Sequence, residues 1–270
     1  MTERRTGGEW VVEALRAEGV RHVFGIPGVH NLAIYDALLR QSQTTHILAR
    51  HEQGAAFMAD GYARASGRPG VVVVTTGPGA TNTLTPLVES YAGSQPVLVV
   101  MSDIPSALIG KDLGALHEVT NQIDCFKPVC RWAETLRDAQ AIPGAVQGAF
   151  HLFRSGRPGP IALSIPTDLL TASVEAQLTP GASGRRPPCD VRLIEEASHR
   201  LRSAGRPLII AGGGAVAAEA GAELEALAGR LRAPVVTTVM GRGIIPETHP
   251  LWLGVLPNKR ATQAAIEAAD

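Results

Sequence analysis

Apolar runs alternate along this chain with stretches of helical period, the rhythm of an α/β protein built on a parallel sheet. Trp10, Val11, Ala14 and Leu15 form the apolar stripe of a first amphipathic helix, and Gly19 is placed to cap its end. A short strand over 21–25 runs into the turn Ile26-Pro27-Gly28, then a helix through Leu32, Tyr35, Leu38 and Leu39. The pattern predicts a second strand over 45–50 and a helix from 53 to 66, broken by Gly67-Arg68-Pro69-Gly70. Residues 71–75 are apolar on both faces, as a central parallel strand requires. A helix over 83–93 and a strand over 96–101 follow. The stretch 104–118 has no period and is long for a connection, which marks a functional or mobile loop. A helix is predicted over 142–155, a hard turn over 156–160 and a buried strand over 161–166.

From Val174 to Asp190 the composition shifts to Gly, Pro, Ser and Arg, which reads as a linker. After it come a helix to Ser203, a strand over 207–211, the triplet Gly212-Gly213-Gly214, a helix through Leu224 and Leu227, a strand over 233–238 and a last helix over 261–270. So few βα units make a poor independent sheet. The expected organisation is a doubly wound parallel sheet over 1–173, a linker over 174–190, and an incomplete, partly Rossmann-like central α/β domain over 191–270. The second domain reads as cut short.

Composition narrows the function. The chain has 270 residues, 45% hydrophobic, enough to bury a core. Net charge is zero and aromatic residues are 4%, which argues against a nucleic-acid partner. Apolar runs such as Val97-Leu98-Val99-Val100-Met101 are too short to span a bilayer. The first residues carry no apolar signal core, and the three cysteines, Cys125, Cys130 and Cys189, lack CxxC spacing. A cytoplasmic protein without disulfides or a metal site of its own is expected. Cys125 and Cys130 read as packing residues.

Three strand-end turns hold the candidate chemistry. Glu52 lies where a strand passes into a helix rich in glycine and alanine. It reads either as a catalytic acid or as a favourable acid in a first helical turn. Thr76-Gly77-Pro78-Gly79-Ala80-Thr81-Asn82 sits between a strand and a helix, where ligand loops occur. Pro78 stiffens that turn and removes an amide donor, which suits a rigid wall against a flat ring better than a phosphate cradle. As a dinucleotide fingerprint the loop has Asn82 in place of the third glycine, with Asp103 as a possible ribose-binding acid. The third turn is Gly25-Ile26-Pro27-Gly28. In a parallel sheet all three would converge at one edge. His51 reads as a satisfied core or interface histidine, and Asp60 with Arg64 as a surface helix pair. Lys111 and Asp112 read as a solvated loop. The Gly212 triplet fits a tight turn as well as a nucleotide contact.

Together, Phe24-Gly25-Ile26-Pro27-Gly28, Arg50-His51-Glu52-Gln53-Gly54-Ala55, Ala59-Asp60-Gly61-Tyr62-Ala63-Arg64 and Thr76 to Asn82 resemble the N-terminal, pyrimidine-binding domain of thiamine-diphosphate enzymes, acetolactate synthase-like branch. The likeness runs from about Glu9 to Asp168 and continues more loosely beyond. It implies that Glu52 hydrogen-bonds the aminopyrimidine ring of the cofactor, favouring the tautomer that takes the thiazolium C2 proton. It implies cofactor contacts for Pro27, Gly28, Thr76, Gly77, Pro78 and Asn82, and substrate contacts for Phe57 and His117. The substrate would be a 2-oxo acid such as pyruvate, ligated or decarboxylated. A glutamine often stands at the His117 position in acetolactate synthases, so the substrate stays open.

The family's Gly-Asp-Gly…Asn-Asn motif, which binds Mg2+ and the diphosphate, does not occur in this sequence. The resemblance therefore implies half a site, inactive as an isolated chain and completed by a homodimer, a tetramer or a separate diphosphate-binding chain. Residues 251–259 resemble a flavin-contacting stretch only at their start, which leaves FAD open. Two other readings stay open: an inactive truncated paralogue serving as an interaction module, and a nicotinamide-dinucleotide-binding protein.

Overall fold

The computed structural model describes residues 3–179, 189–256 and 260–270, with the backbone alone at 261. The chain divides into two compact units, Met1–Arg186 and Pro187–Asp270.

In chain order the first unit runs β1 (Glu3–Thr6), α1 (Gly7–Ala17), β2 (His22–Gly25), α2 (Leu32–Leu39), β3 (Thr45–Leu48), α3 (Glu52–Ser66), β4 (Gly70–Val74), α4 (Pro78–Thr81), α5 (Leu84–Ala92), β5 (Val97–Asp103), β6 (Trp132–Thr135), α6 (Ile142–Ser155), β7 (Ile161–Pro166), α7 (Thr167–Thr171) and β8 (Ser173–Ala176). Six strands form a parallel sheet in the order β3-β2-β4-β5-β7-β6. Every residue of β4, β5 and β7 is buried, which explains their largely apolar sequence, interrupted by Ser102, Asp103 and Ser164 near the strand ends. Alternate side chains feed two cores, because successive residues of a strand point to opposite faces. Val71 and Val73 pack with Trp10, Leu15, Ile34, Val146 and Phe150 from α1, α2 and α6. Val72 and Val74 pack with Ala55, Ala56, Ala59 and Leu87 from α3 and α5. The sheet is thus doubly wound.

The ends of α1 follow from its sequence. Thr6 and Glu9 form a reciprocal capping box. Past the last turn, the Gly19 amide bonds Arg16 O at 2.9 Å and the Val20 amide bonds Leu15 O at 3.0 Å, a Schellman closure.

Several expectations change. The stretch read as linker from Val174 begins as strand: β8 pairs antiparallel with β1, Glu3 opposite Ala176. Residues 180–188 of that stretch lie outside the described residues. Asp60 and Arg64 do pair, at 2.6 Å, yet the Asp60 side chain is buried where α3 meets α5 and also accepts a 2.7 Å bond from Ser90. It ties two helices together and does not decorate a surface. His51 is exposed, and its Nδ1 caps α3 by accepting from the Gln53 amide at 3.1 Å. Cys125 is exposed, so packing does not explain it, whereas Cys130 is buried.

Burial pushes the Cys130 thiol up to about 12. Because the thiolate is the reactive form, iodoacetamide at pH 8 should alkylate Cys125 while sparing Cys130 in the native chain. Peptide mass mapping before and after unfolding checks this.

The second unit consists of α8 (Val191–Ser203), β9 (Ile209–Ala211), α9 (Gly213–Ala217), α10 (Gly221–Leu231), β10 (Val235–Thr237), β11 (Trp252–Val255) and α11 (Arg260–Ala268). Its parallel sheet has the order β11-β10-β9. Ala211, Ala228, Val235 and Ile245 make a small core. The Gly212 triplet opens the short helix α9. Of the stretch expected to bear on flavin, β11 is described, and 257–259 lie outside the described residues.

Candidate functional site

β3, β2, β4 and β5 are parallel neighbours, so the segments leaving their C-terminal ends share one sheet edge. Residues 49–51 carry the chain from β3 into α3, whose first residue is Glu52. Glu52 is half-buried. Its Oε2 accepts a hydrogen bond from Asn82 Nδ2 at 2.9 Å. Its Oε1 accepts none among the described residues and lies 3.4 Å from where a Gly79 side chain would begin. The strand-end acid and the glycine loop thirty residues later therefore meet.

The loop that receives Glu52 is held from below. Thr76 is buried and donates to Ser102 Oγ at 3.0 Å. Gly77 adopts φ 62° and ψ −114°, and its amide donates to Gln122 Oε1 at 2.6 Å. A Cβ at Gly77 would stand 2.4 Å from the His117 carbonyl oxygen, so both the backbone angle and the close approach require glycine. Pro78 is exposed and opens α4 at a position where no N–H is needed.

The third turn closes on the same place. The Gly28 amide donates to Asn31 Oδ1 at 2.7 Å, and Asn31 Nδ2 returns to Ile26 O at 3.3 Å. A Cβ at Gly28 would lie 2.7 Å from Thr75 Oγ1. That hydroxyl is buried without a partner among the described residues. Pro27 is exposed. His117 is also exposed, at φ 63°, with its ring 5.6 Å from that of His30. Burial, and then the neighbouring His117, hold His30 below the usual imidazole range, so it is neutral near pH 7. Phe57 lies further along α3, 41% exposed, and makes no ring contact among the described residues.

Asp103 has both carboxylate oxygens engaged within the protein. It is buried, with Oδ1 accepting from the Ile104 amide at 2.9 Å and Oδ2 from Ser164 Oγ at 2.7 Å. Burial pushes its carboxyl above the usual carboxylate range. It is not placed as a ribose-binding acid. The Gly77 and Gly28 amides are both committed inside the protein and Pro78 has none, so the loop is poorly equipped as a phosphate cradle.

Sequence reasoning missed Asn31, Gln122, Ser102 and Ser164. Asn31, placed after a Pro-Gly turn, carries a local signal for a side chain that braces its own loop. Gln122 carries none, since its partners are 20, 42 and 45 residues away.

What this edge can hold follows from its donors and shape. A half-buried carboxylate with a free oxygen, a proline wall and two glycines packed against Thr75 suit a flat, nitrogen-bearing ring. Two family descriptions match the chain: the thiamine pyrophosphate enzyme N-terminal TPP binding domain over residues 5–125 and the thiamine pyrophosphate enzyme central domain over residues 194–270. The chain belongs to the thiamine-diphosphate enzyme family. Its place is in the acetolactate synthase-like branch, as its relatives show. It is 46% identical over 92% of its length to a probable 2-ketoarginine decarboxylase of Pseudomonas aeruginosa, of which it covers 44%. It is 41% identical over 94% of its length to an acetolactate synthase of Arthrospira platensis, covering 45% of it. Against the acetolactate synthase isozyme 1 large subunit of Escherichia coli it is 36% identical over 99% of its length, covering 48%. The chain thus spans a little under half the length of these curated relatives. No helix among the described residues is long and apolar enough to cross a membrane. Among them, no group of three or more His, Cys, Asp or Glu side chains is placed to hold a metal ion.

Proposed function

We propose that this chain supplies the aminopyrimidine-holding half of a thiamine-diphosphate site that acts on a 2-oxo acid, by decarboxylation or carboligation. The observation that carries the reading is Glu52, its carboxylate fixed by Asn82 at the sheet edge and turned toward Gly79 with one oxygen free. Bound thiamine diphosphate would supply the carbanion chemistry; the protein's part is to orient it and set its protonation.

In this reading Glu52 Oε1 accepts a hydrogen bond from a pyrimidine ring nitrogen, which favours the ring tautomer able to take up a proton. Asn82 fixes the rotamer of Glu52. Pro78 and Gly77 form the wall against one ring face, with Thr76 anchoring that wall from beneath. Pro27 and Gly28 border the other side, where the absence of a Cβ leaves room beside Thr75. His117 from the loop and Phe57 from the exposed side of α3 would face the substrate. Mg2+ and the diphosphate would be held by a diphosphate-binding domain, whose motif does not occur in these 270 residues. Without that domain we expect little or no turnover.

The test is a titration of the isotopically labelled chain with thiamine, which carries the half of the cofactor this edge would hold. Saturable shifts at the Asn82 side chain and the Gly77 amide are expected. Reduced nicotinamide cofactor should leave both unmoved. Silence with thiamine at these two positions, or saturation by the nicotinamide, would reject the reading.

A further inference from the structure

The Gly77 wall is held by more than its own turn, in which the Thr81 amide bonds Gly77 O at 2.9 Å. The Gly77 amide is drawn inward, 2.6 Å from Gln122 Oε1. Gln122 is 2% exposed, and its amide group is fully engaged. Nε2 donates to Ser102 O at 2.9 Å and to Ser164 Oγ at 3.1 Å. The Ser164 hydroxyl donates in turn to Asp103 Oδ2 at 2.7 Å. The hydrogens along this chain all run toward the buried carboxylate, so each bond polarises the next. Gln122 also opens the 3-10 turn Gln122–Cys125, directly after the irregular loop that carries His117. One buried side chain therefore links the glycine loop, the ends of β5 and β7, and the end of the His117 loop.

We propose that Gln122 is the positioning residue of this site: it holds the Gly77–Pro78 wall at the height at which Asn82 meets Glu52. The inference rests on the thiamine reading for its consequence in binding, though not for the clamp itself. Gly77 at φ 62° has a strained partner in His117 at φ 63°, and the Gln122 bond secures the Gly77 side of that contact. When Gln122 is removed, the Gly77 amide loses the acceptor it has among the described residues. The peptide should rotate toward solvent and carry Pro78 with it.

Two variants of the full chain separate positioning from packing. Gln122→Met keeps nearly the same volume and removes every hydrogen bond. Gln122→Glu, buried and linked to Asp103 through Ser164, is expected to stay protonated, so it keeps an acceptor for Gly77 and one donor. Deuterium exchange at Gly77 and the thiamine dissociation constant from the Asn82 shift are read for each. Gln122→Met is expected to speed Gly77 exchange and weaken thiamine by about tenfold or more. Gln122→Glu should recover most of both.

Unchanged Gly77 exchange in Gln122→Met would overturn the proposal. So would equal loss in the two variants, since that pattern belongs to a purely structural role. If the unmodified chain does not bind thiamine, the proposed function fails by itself, and Gly77 exchange still decides on the clamp.

Discussion

Replacing Glu52 by glutamine should slow exchange of the thiamine-diphosphate C2 proton in the assembled enzyme by about 10²–10⁴-fold, the range of a lost general acid–base group. The substitution is conservative in shape. Glutamine still offers an oxygen to Asn82 Nδ2, now at 2.9 Å from the carboxylate, so the local geometry should survive. What it cannot do is bias a pyrimidine nitrogen toward its protonated form as a carboxylate does. The competing explanation is that Glu52 merely suits the first turn of α3, where it does stand. That role is worth about 0.3–1 kcal/mol of stability and nothing in proton exchange. Exchange measured by NMR after acid quench, beside urea midpoints of both forms, distinguishes the two. Unchanged exchange with a lowered midpoint would leave Glu52 as an ordinary helix-start acid.

The sheet was readable because burial on both faces writes itself into sequence. Val71 to Val74 admit no polar residue, and the structure places each of them at 0% exposure. The elements that escaped reading are short and partly polar. β1 and β8 pair through Glu3, Arg4, Arg5 and Glu175, which carry no strand period. β6 and β11 lie at sheet edges, where one flank is free and the apolar demand relaxes.

The site divides in the same way. Glu52, Gly77 and Gly28 were visible because strand ends in a parallel sheet converge by topology, and glycine marks close approach. Gln122 and Ser164 act through bonds that span 42 residues, and no local pattern encodes such a bond. Asp60 was misjudged for a related reason. Its surroundings depend on which helix packs beside α3, and that is α5. A charged side chain four residues from its partner looks the same in sequence whether it faces water or Ser90.

The largest expected loss of stability is at Gly25. This residue pairs with Leu48 of β3 on one side and Val73 of β4 on the other, so β2 has no free flank into which to shift. A Cβ there would sit 2.0 Å from Val73 O and 2.5 Å from Tyr35 Oη. Those two atoms are themselves bonded at 2.9 Å, and burial pushes the Tyr35 phenol far above its usual range. Relief requires breaking that buried bond or parting β2 from β4.

Gly25→Ala should therefore cost about 3 kcal/mol or more, at or above the upper end for overpacking substitutions and a large share of a domain's usual stability. Gly61→Ala is the control. Within the chain a Cβ at Gly61 meets nothing within 4 Å, and the gain in helix propensity should stabilise α3 by about 0.5–1 kcal/mol. Urea unfolding followed by circular dichroism reads both, with an unchanged slope showing that the midpoint reports stability. Equal midpoints would show that the β2–β4 contact yields easily. The effect should also reach the site. Gly25 O accepts the Ala49 amide at 3.1 Å, and Ala49 begins the segment that delivers Glu52. Any fraction of Gly25→Ala that stays folded should bind thiamine more weakly than Gly61→Ala does. A steric error in the core strand would thereby be read out at the carboxylate.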